Sequence, residues 1–287
     1  MASFPKKVGE RLVAGLKRFQ PIIASAKARD VNASDTVIIV TDMLAEVFGY
    51  DKYSEITSEH SIRGTYCDLA IKLDGVLRLL IEVKAVGLEL KEQFIKQAID
   101  YAANQGTDWV ALTNGDIWRV YKVTFDKPIA SELVMEFNLS QLNPKEESDL
   151  EGLFRVSKEG WQKSALGDFH EQRQALSRFF LGAVVLTDAV LDVVRRELRR
   201  MSPDVKIENE QIREVFLTDV LKRDVVEGEK AEQAKKKLAK AVGRVLRAKA
   251  AKSQEEELVV EGAEAAGPAP VAPEEAPAAP PDPISPA

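Results

Sequence analysis

Asp68 and the triplet Glu82-Val83-Lys84 place two carboxylates and one ammonium group within a single short segment, Tyr66 to Lys84. Two carboxylates brought to one point can share a divalent cation through hard oxygen ligands. A lysine beside them can orient a water or offset developing negative charge. Whether they meet depends on the strands that carry them. Cys67, Leu69, Ile71 and Leu73, then Leu77, Leu79, Ile81 and Val83, are apolar and odd-numbered, the period-2 pattern of strands with one face on a core. Asp68, Lys72, Arg78, Glu82 and Lys84 are even-numbered and share the other face.

Two strands that rest their apolar faces on one core must pair residues of like parity. An Asp-Gly pair such as Asp74-Gly75 ordinarily marks a two-residue type I′ turn, which would pair odd with even. The spacing therefore predicts an odd-length connection, a left-handed Gly75 and a bulge, with Asp68 opposite Glu82 or one step diagonal to it. The plainer reading is a solvated hairpin of mixed charge. Against it, like charges that face each other across strands are destabilising, and Leu79-Leu80-Ile81 is too apolar for a strand whose second face is wet.

An Asp followed, after a hairpin, by Glu-X-Lys resembles the PD-(D/E)XK nuclease signature of the restriction-endonuclease-like fold, with Cys67 where the usual Pro would stand. The surrounding order sharpens the likeness. Upstream stand Phe48-Gly49-Tyr50, Glu59, Ile62 and Arg63-Gly64; downstream stand Gln93, Gln97, Tyr101-Ala102, then Trp109 to Gly115 and Trp118 to Tyr121. This succession resembles the N-terminal nuclease domain of type I restriction enzyme R subunits, over about residues 35–125. The resemblance implies a metal-dependent phosphodiesterase domain with a mixed central sheet flanked by helices. It makes Asp68 and Glu82 the metal-binding acids and Lys84 the catalytic lysine. Gln97 and Tyr101 match a Gln-x-x-x-Tyr element, and Glu46 matches an acid on the first core helix.

These further positions also have local readings. Gln93, Gln97 and Tyr101 recur every four residues and so form one helical stripe, with Phe94, Ile95, Ala98, Ile99 and Ala102 as the apolar stripe beside it. An ordinary polar helix surface explains the glutamines as well. Glu46 lies on a helix-like run from Val37 to Phe48, off its Val40, Leu44, Val47, Phe48 stripe, where a solvated acid is the plainer reading.

The chain has 287 residues and a net charge of −6. Residues 254–287 carry eight acids and no Lys or Arg, which leaves the rest at +2. The single cysteine excludes an intrachain disulfide and fits a reducing cytosol. Met1 to Phe19 lacks the apolar block of a signal peptide, and Phe179 to Leu186 is too short to span a bilayer, so a cytoplasmic, membrane-free protein is expected.

Five stretches follow from pattern and composition. Residues 1–33 read as a basic amphipathic helix broken near Pro21, and 34–140 as the α/β unit, with strands at 109–113 and 116–124 joined at Asn114-Gly115. Residues 141–228 read as a small all-helical module. Within it, Phe169, Leu176, Phe179, Phe180, Ala183, Leu186, Val190 and Val193 keep helical spacing up to Pro203, and Ile207–Leu221 follows. Structural packing or a dimer contact accounts for that module. Residues 229–253 suit a basic helix, where Lys235, Lys236, Lys237, Lys240 and Arg244 could neutralise phosphates, or equally form a solvated arm. Residues 254–287 hold eight of the 13 prolines among Ala and Glu and read as a disordered tail, whose acids could compete with nucleic acid for the basic helix.

The sequence holds no Gly-x-x-x-x-Gly-Lys-Ser/Thr loop for ATP, and neither His60 nor His170 has zinc-ligand neighbours. The mechanism these residues suggest is Mg²⁺-assisted hydrolysis of a phosphodiester, with Mn²⁺ as substitute. Asp68, Glu82 and the Val83 carbonyl would hold the ion, Lys84 would stabilise charge, and Gln97 would position water or substrate. Nucleic acid, DNA above all, is the expected partner, with a homodimer or a separate partner subunit as further expectations. The competing reading is a nucleic-acid-binding or assembly module that keeps the nuclease fold without its activity.

Overall fold

The computed structural model describes residues 4–62, 65–125, 128–244 and 247, with backbone alone at 59–62, 65 and 66. It divides into two compact units, Met1–Gln174 and Ala175–Ala287. Among the described residues no helix is long and apolar enough to cross a membrane.

The first unit is mixed α/β. Six strands, β1 (Ile56–Ile62), β2 (Thr65–Leu73), β3 (Val76–Val83), β4 (Trp109–Thr113), β5 (Ile117–Thr124) and β6 (Ala130–Asn138), form one sheet in chain order. Neighbours are antiparallel except β3 and β4, which run parallel. A parallel pair needs a crossover, and helix α3 (Lys96–Gln105) supplies it. Both faces of the sheet are covered. Leu79, Ile81 and Val83 pack with α1 (Lys6–Ala28) and α2 (Ala33–Glu46) in one cluster, whereas Leu80, Val110 and Leu112 pack with α3 in the other. That is why β3 reads as nearly continuous apolar sequence, as strands buried on both faces do. Cys67 departs from its odd-numbered neighbours and packs with the second cluster. Beyond the pair Leu69↔Ile81 its thiol turns to the Ile81 carbonyl, 3.2 Å away.

The β2–β3 connection departs from the expected odd length. Leu73 pairs with Val76, so the loop is the two residues Asp74-Gly75, with φ of 52° and 75°. Two left-handed residues make a type I′ turn, and Gly75 accepts that conformation without strain from a Cβ. Parity is restored one step later. Lys72 pairs with Leu77 but Ile71 with Leu79, so Arg78 is the extra residue of a bulge and odd faces odd from there on.

Helix α1 runs unbroken through Pro21. Pro21 sits on the exposed face, and the carbonyl it leaves unbonded belongs to Lys17, also exposed, where water can take the place of the missing N–H. Leu12, Leu16, Phe19 and Ile23, all buried, hold the helix to the sheet from the other side.

The first unit extends past the expected boundary at 141. Helices α4 (Glu147–Val156), α5 (Lys158–Gln162) and α6 (Ala165–Ala175) follow β6. Leu150, Leu153, Phe154 and Leu166 join the cluster that covers the odd face. Tyr50 Oη donates to the Val156 carbonyl at 2.6 Å, which ties α4 to the end of the first core helix.

The helical spacing from Phe169 to Val193 is not one helix. After α6 come α7 (Arg178–Val185) and α8 (Asp188–Met201). Ser177 Oγ accepts from Phe180 N at 3.3 Å and Thr187 Oγ1 donates to the Val184 carbonyl at 2.8 Å, so a hydroxyl captures a backbone group at each break. The second unit continues with α9 (Asn209–Val215), a π turn at Phe216–Val220, α10 (Arg223–Val226) and helical residues 229–244. The rest of the expected basic helix and the whole Pro/Ala/Glu-rich tail lie outside the described residues, apart from Arg247.

Candidate active site

The β2–β3 register brings the two acids together. The paired register ends at Leu69↔Ile81, and just beyond it Asp68 lies close enough to Glu82 for its charge to act on that carboxyl. The contact is direct at the backbone: Val83 N donates to Asp68 Oδ2 at 2.7 Å. Glu82 shares parity with Leu80 and pairs in register with Leu112, so it stands on the face covered by α3. It is 6% exposed. Lys84 lies just past the end of β3, where its N–H donates to the Thr113 carbonyl at 2.8 Å and extends the parallel ladder by one bond. From there Lys84 Nζ reaches Glu82 Oε1 at 2.6 Å and sits 5.5 Å from the centre of the Phe94 ring. Val83 itself points its side chain into the opposite cluster, and its N–H serves Asp68.

The electrostatics follow from burial. Desolvation lifts the Glu82 carboxyl above its ordinary value, and the negative charge of Asp68 adds to the lift, while Lys84 opposes it through its hydrogen bond and its charge. Cys67 feels the same surroundings. Burial first, then the charges of Glu82 and Asp68, push its thiol up to about 12, so it stays neutral beside the pair. Asp68 and Glu82 thus form a carboxylate pair with one cation in contact. Their oxygens suit Mg²⁺, which takes one or two carboxylates and keeps several waters, better than a metal that demands a full protein cage. Among the described residues no cluster of three or more His, Cys, Asp or Glu could hold a metal ion.

The segment between β3 and α3 is pinned by two side chains from the β4–β5 hairpin. Asn114 Nδ2 donates to the Leu88 carbonyl at 3.0 Å, and Arg119 Nη1 donates to the Leu90 carbonyl at 2.6 Å. The 3₁₀ turn Glu92–Phe94 follows and delivers Phe94 to Lys84. Sequence pattern places Phe94 in an apolar stripe and Asn114 in a turn, and points to no part for them or for Arg119 at the site. Asn114-Gly115 was legible as a turn, and the turn forms at residues 114–116 with Gly115 at φ 84°. That the asparagine side chain also reaches Leu88 depends on the fold alone.

The remaining residues are placed as follows. The Gln93, Gln97, Tyr101 stripe divides: Gln93 falls in the 3₁₀ turn, Gln97 is exposed on the first turn of α3, and Tyr101 is buried in the cluster under α3. Glu46 ends α2, on the opposite face of the sheet, where it pairs with Arg18 at 2.8 Å. Lys235, Lys236, Lys237, Lys240 and Arg244 lie exposed on the helical stretch 229–244 of the second unit, with Ala231 and Ala234 as its buried side and Lys235 paired with Glu232 at 2.8 Å.

Residues 39–135 match the family model of the type I restriction enzyme R protein N terminus, a span that runs from within α2 into β6 and includes Asp68, Glu82 and Lys84. No curated protein and no solved structure matches the chain.

Proposed function

From the likeness of residues 39–135 to the N-terminal domain of type I restriction enzyme R proteins, we propose that the first unit is a metal-dependent endonuclease domain that hydrolyses phosphodiester bonds, with DNA as its substrate. The observation that carries the reading is Asp68 bonded to Val83 N at 2.7 Å beside Glu82, with Lys84 Nζ 2.6 Å from Glu82. Two carboxylates held close together, one of them nearly buried, repel each other, and a bound cation would offset that cost.

In this reading Asp68 and Glu82, with the Val83 carbonyl, hold Mg²⁺ or Mn²⁺. Such an ion, when bound, lowers the pKa of a coordinated water and offsets negative charge on the phosphoryl group. The protein residues supply the rest. The Val83 N–H fixes the Asp68 carboxylate in one orientation, so no reorganisation is needed when the substrate arrives. Lys84 brings a positive charge held between Glu82 and the Phe94 ring, where it stabilises charge on a non-bridging oxygen or orients the attacking water. Gln97, exposed on α3, offers an amide to water or substrate. Neutral Cys67 beside the acids adds no charge of its own. The lysines of 229–244 add phosphate contacts that weaken with salt.

The test is incubation of the protein with supercoiled plasmid, single-stranded DNA and RNA, with and without Mg²⁺, beside the Glu82→Gln variant. Mg²⁺-dependent cleavage of DNA that Glu82→Gln loses is the expected result. Cleavage equal in the two proteins would overturn the site.

One observation favours a second reading, an inactive nucleic-acid-binding or assembly module. Glu82 already has Lys84 as a partner, so its charge is compensated without any metal. Calorimetric titration with Mg²⁺ separates the two: binding that Glu82→Gln abolishes belongs to the nuclease, and no binding at all belongs to the module.

A further inference from the structure

The second unit carries an open apolar groove with a basic rim. Val194 and Leu198 of α8, with Ile207, Ile212, Val215 and Phe216, line a groove of about 410 Å³. It opens to solvent: Val215 is 51% exposed, and Val220, which also lines it, 59%. Lys206 stands among the lining residues, and the same turns of α8 present Arg195, Arg196, Arg199 and Arg200, with Asp192, around a second hollow. Asp192 pairs with Arg195 at 2.8 Å and Glu197 with Arg200 at 3.0 Å, which leaves five cations to three acids once Glu208 is counted. Glu208 lies 3.8 Å from Arg195, 3.9 Å from Arg199 and 3.7 Å from Lys206. Such an apolar groove with surplus positive charge at its edge is matched by a short apolar segment flanked by acids.

The chain contains such a segment. Leu258-Val259-Val260 follows Glu255-Glu256-Glu257 and precedes Glu261. It is the one run of large aliphatic residues in 254–287, where Ala, Pro and Glu otherwise prevail. The charge balance points the same way. Residues 175–253 hold eighteen Lys and Arg against twelve Asp and Glu, and residues 254–287 hold eight acids and no base. Reach is ample, because the fourteen residues from Arg244 to Leu258 can extend to roughly 45–50 Å. We propose that Leu258-Val259-Val260 docks in the groove of its own chain, with Glu255 to Glu257 against the Arg195, Arg199 and Lys206 rim.

A spin label tests this in the full chain. Gly262→Cys places a nitroxide beside the segment, and the only other cysteine, Cys67, is fully buried and protected from labelling. Methyl spectra of Val and Leu residues are then recorded. The expected result is strong broadening of the Val194, Leu198 and Val215 methyls, relieved when Glu255, Glu256 and Glu257 are all changed to Lys. Three outcomes overturn the proposal. The methyls keep their diamagnetic intensity; or broadening vanishes when labelled chain is diluted into excess unlabelled-nitroxide-free chain, which makes a second copy the occupant; or the triple Lys variant broadens as the parent does, which removes the charged rim from the contact.

Discussion

Asp68 and Val83 are joined across the β2–β3 pair, carboxylate Oδ2 to backbone N–H at 2.7 Å, so one acid of the pair is fastened to the main chain immediately beside the other. The bond separates what the Asp68 oxygen does for the fold from what its charge does for chemistry. Asp68→Asn keeps an oxygen able to accept from Val83 and removes the charge. It should hold the unfolding midpoint close to that of the parent while cleavage falls by about 10²-fold or more. Asp68→Ala removes the acceptor too and should lose a further ~1–2 kcal/mol of stability in urea titration. Equal stability of the Asn and Ala variants would show that the Val83 bond carries none of the load assigned to it.

Glu82 gives a pH signature in the metal-free protein. Burial, then the charge of Asp68, raises its carboxyl above the ordinary 4.5. The folded state therefore binds this proton more tightly than the unfolded chain does. The resulting stabilisation is complete below 4.5 and fades as the pH climbs through the raised value. In Glu82→Gln this contribution is absent. The difference in melting temperature, parent minus variant, measured with chelator present, should decline as the pH rises above 4.5. A difference that stays flat or grows over that range means that the carboxyl is not held in its neutral form by the fold.

The strand pattern was legible in most of 69–83 because a period of two admits one assignment of faces: Leu69, Ile71, Leu79 and Ile81 pack where their parity puts them, whereas Leu77, next to the bulge, packs with the opposite cluster. The turn was legible in part: a left-handed Gly75 and a bulge are expected and both form, but the loop has two residues, and Arg78 absorbs the parity mismatch inside β3. Pro21 misled for a related reason: its cost depends on which face of the helix it occupies, and that is set by tertiary packing. Sequence pattern groups residues 141–174 with a separate helical module, yet Leu150, Leu153 and Phe154 join the cluster under α1 and α2: a helical pattern does not say what the helix packs on. At the site, the types and places of Asp68, Glu82 and Lys84 were open to reading. The pinning of the Leu88–Leu90 segment by Asn114 and Arg119 was not, because each bond ends on a backbone carbonyl more than twenty residues away, and carbonyls have no sequence signature.

Lys84 distinguishes a chemical role from a structural one. Removing its ammonium leaves Glu82 6% exposed and without its 2.6 Å partner. Lys84→Met keeps much of the aliphatic stem against Phe94, so the change falls on charge. The variant should still bind Mg²⁺ in calorimetry, because both carboxylates remain, while cleavage falls by about 10²-fold. Asp68→Asn and Glu82→Gln should lose binding and cleavage together. Should Lys84→Met cleave at the parental rate, the lysine serves only to compensate Glu82 in the fold.

Arg78 is the extra residue of the β2–β3 bulge: Leu77 pairs with Lys72 and Leu79 with Ile71. Deleting it closes the ladder without moving either pair, because Leu79 then follows Leu77 directly and still meets Ile71 in an unbulged type I′ hairpin. Leu79 and Ile81 keep their cluster, and Glu82 keeps its face. The deletion should leave cleavage within about tenfold of the parent and change stability by less than ~1 kcal/mol in urea titration. A folded deletion variant that has lost cleavage would show that the added twist of the bulge, and not the register alone, brings Asp68 and Glu82 to one point.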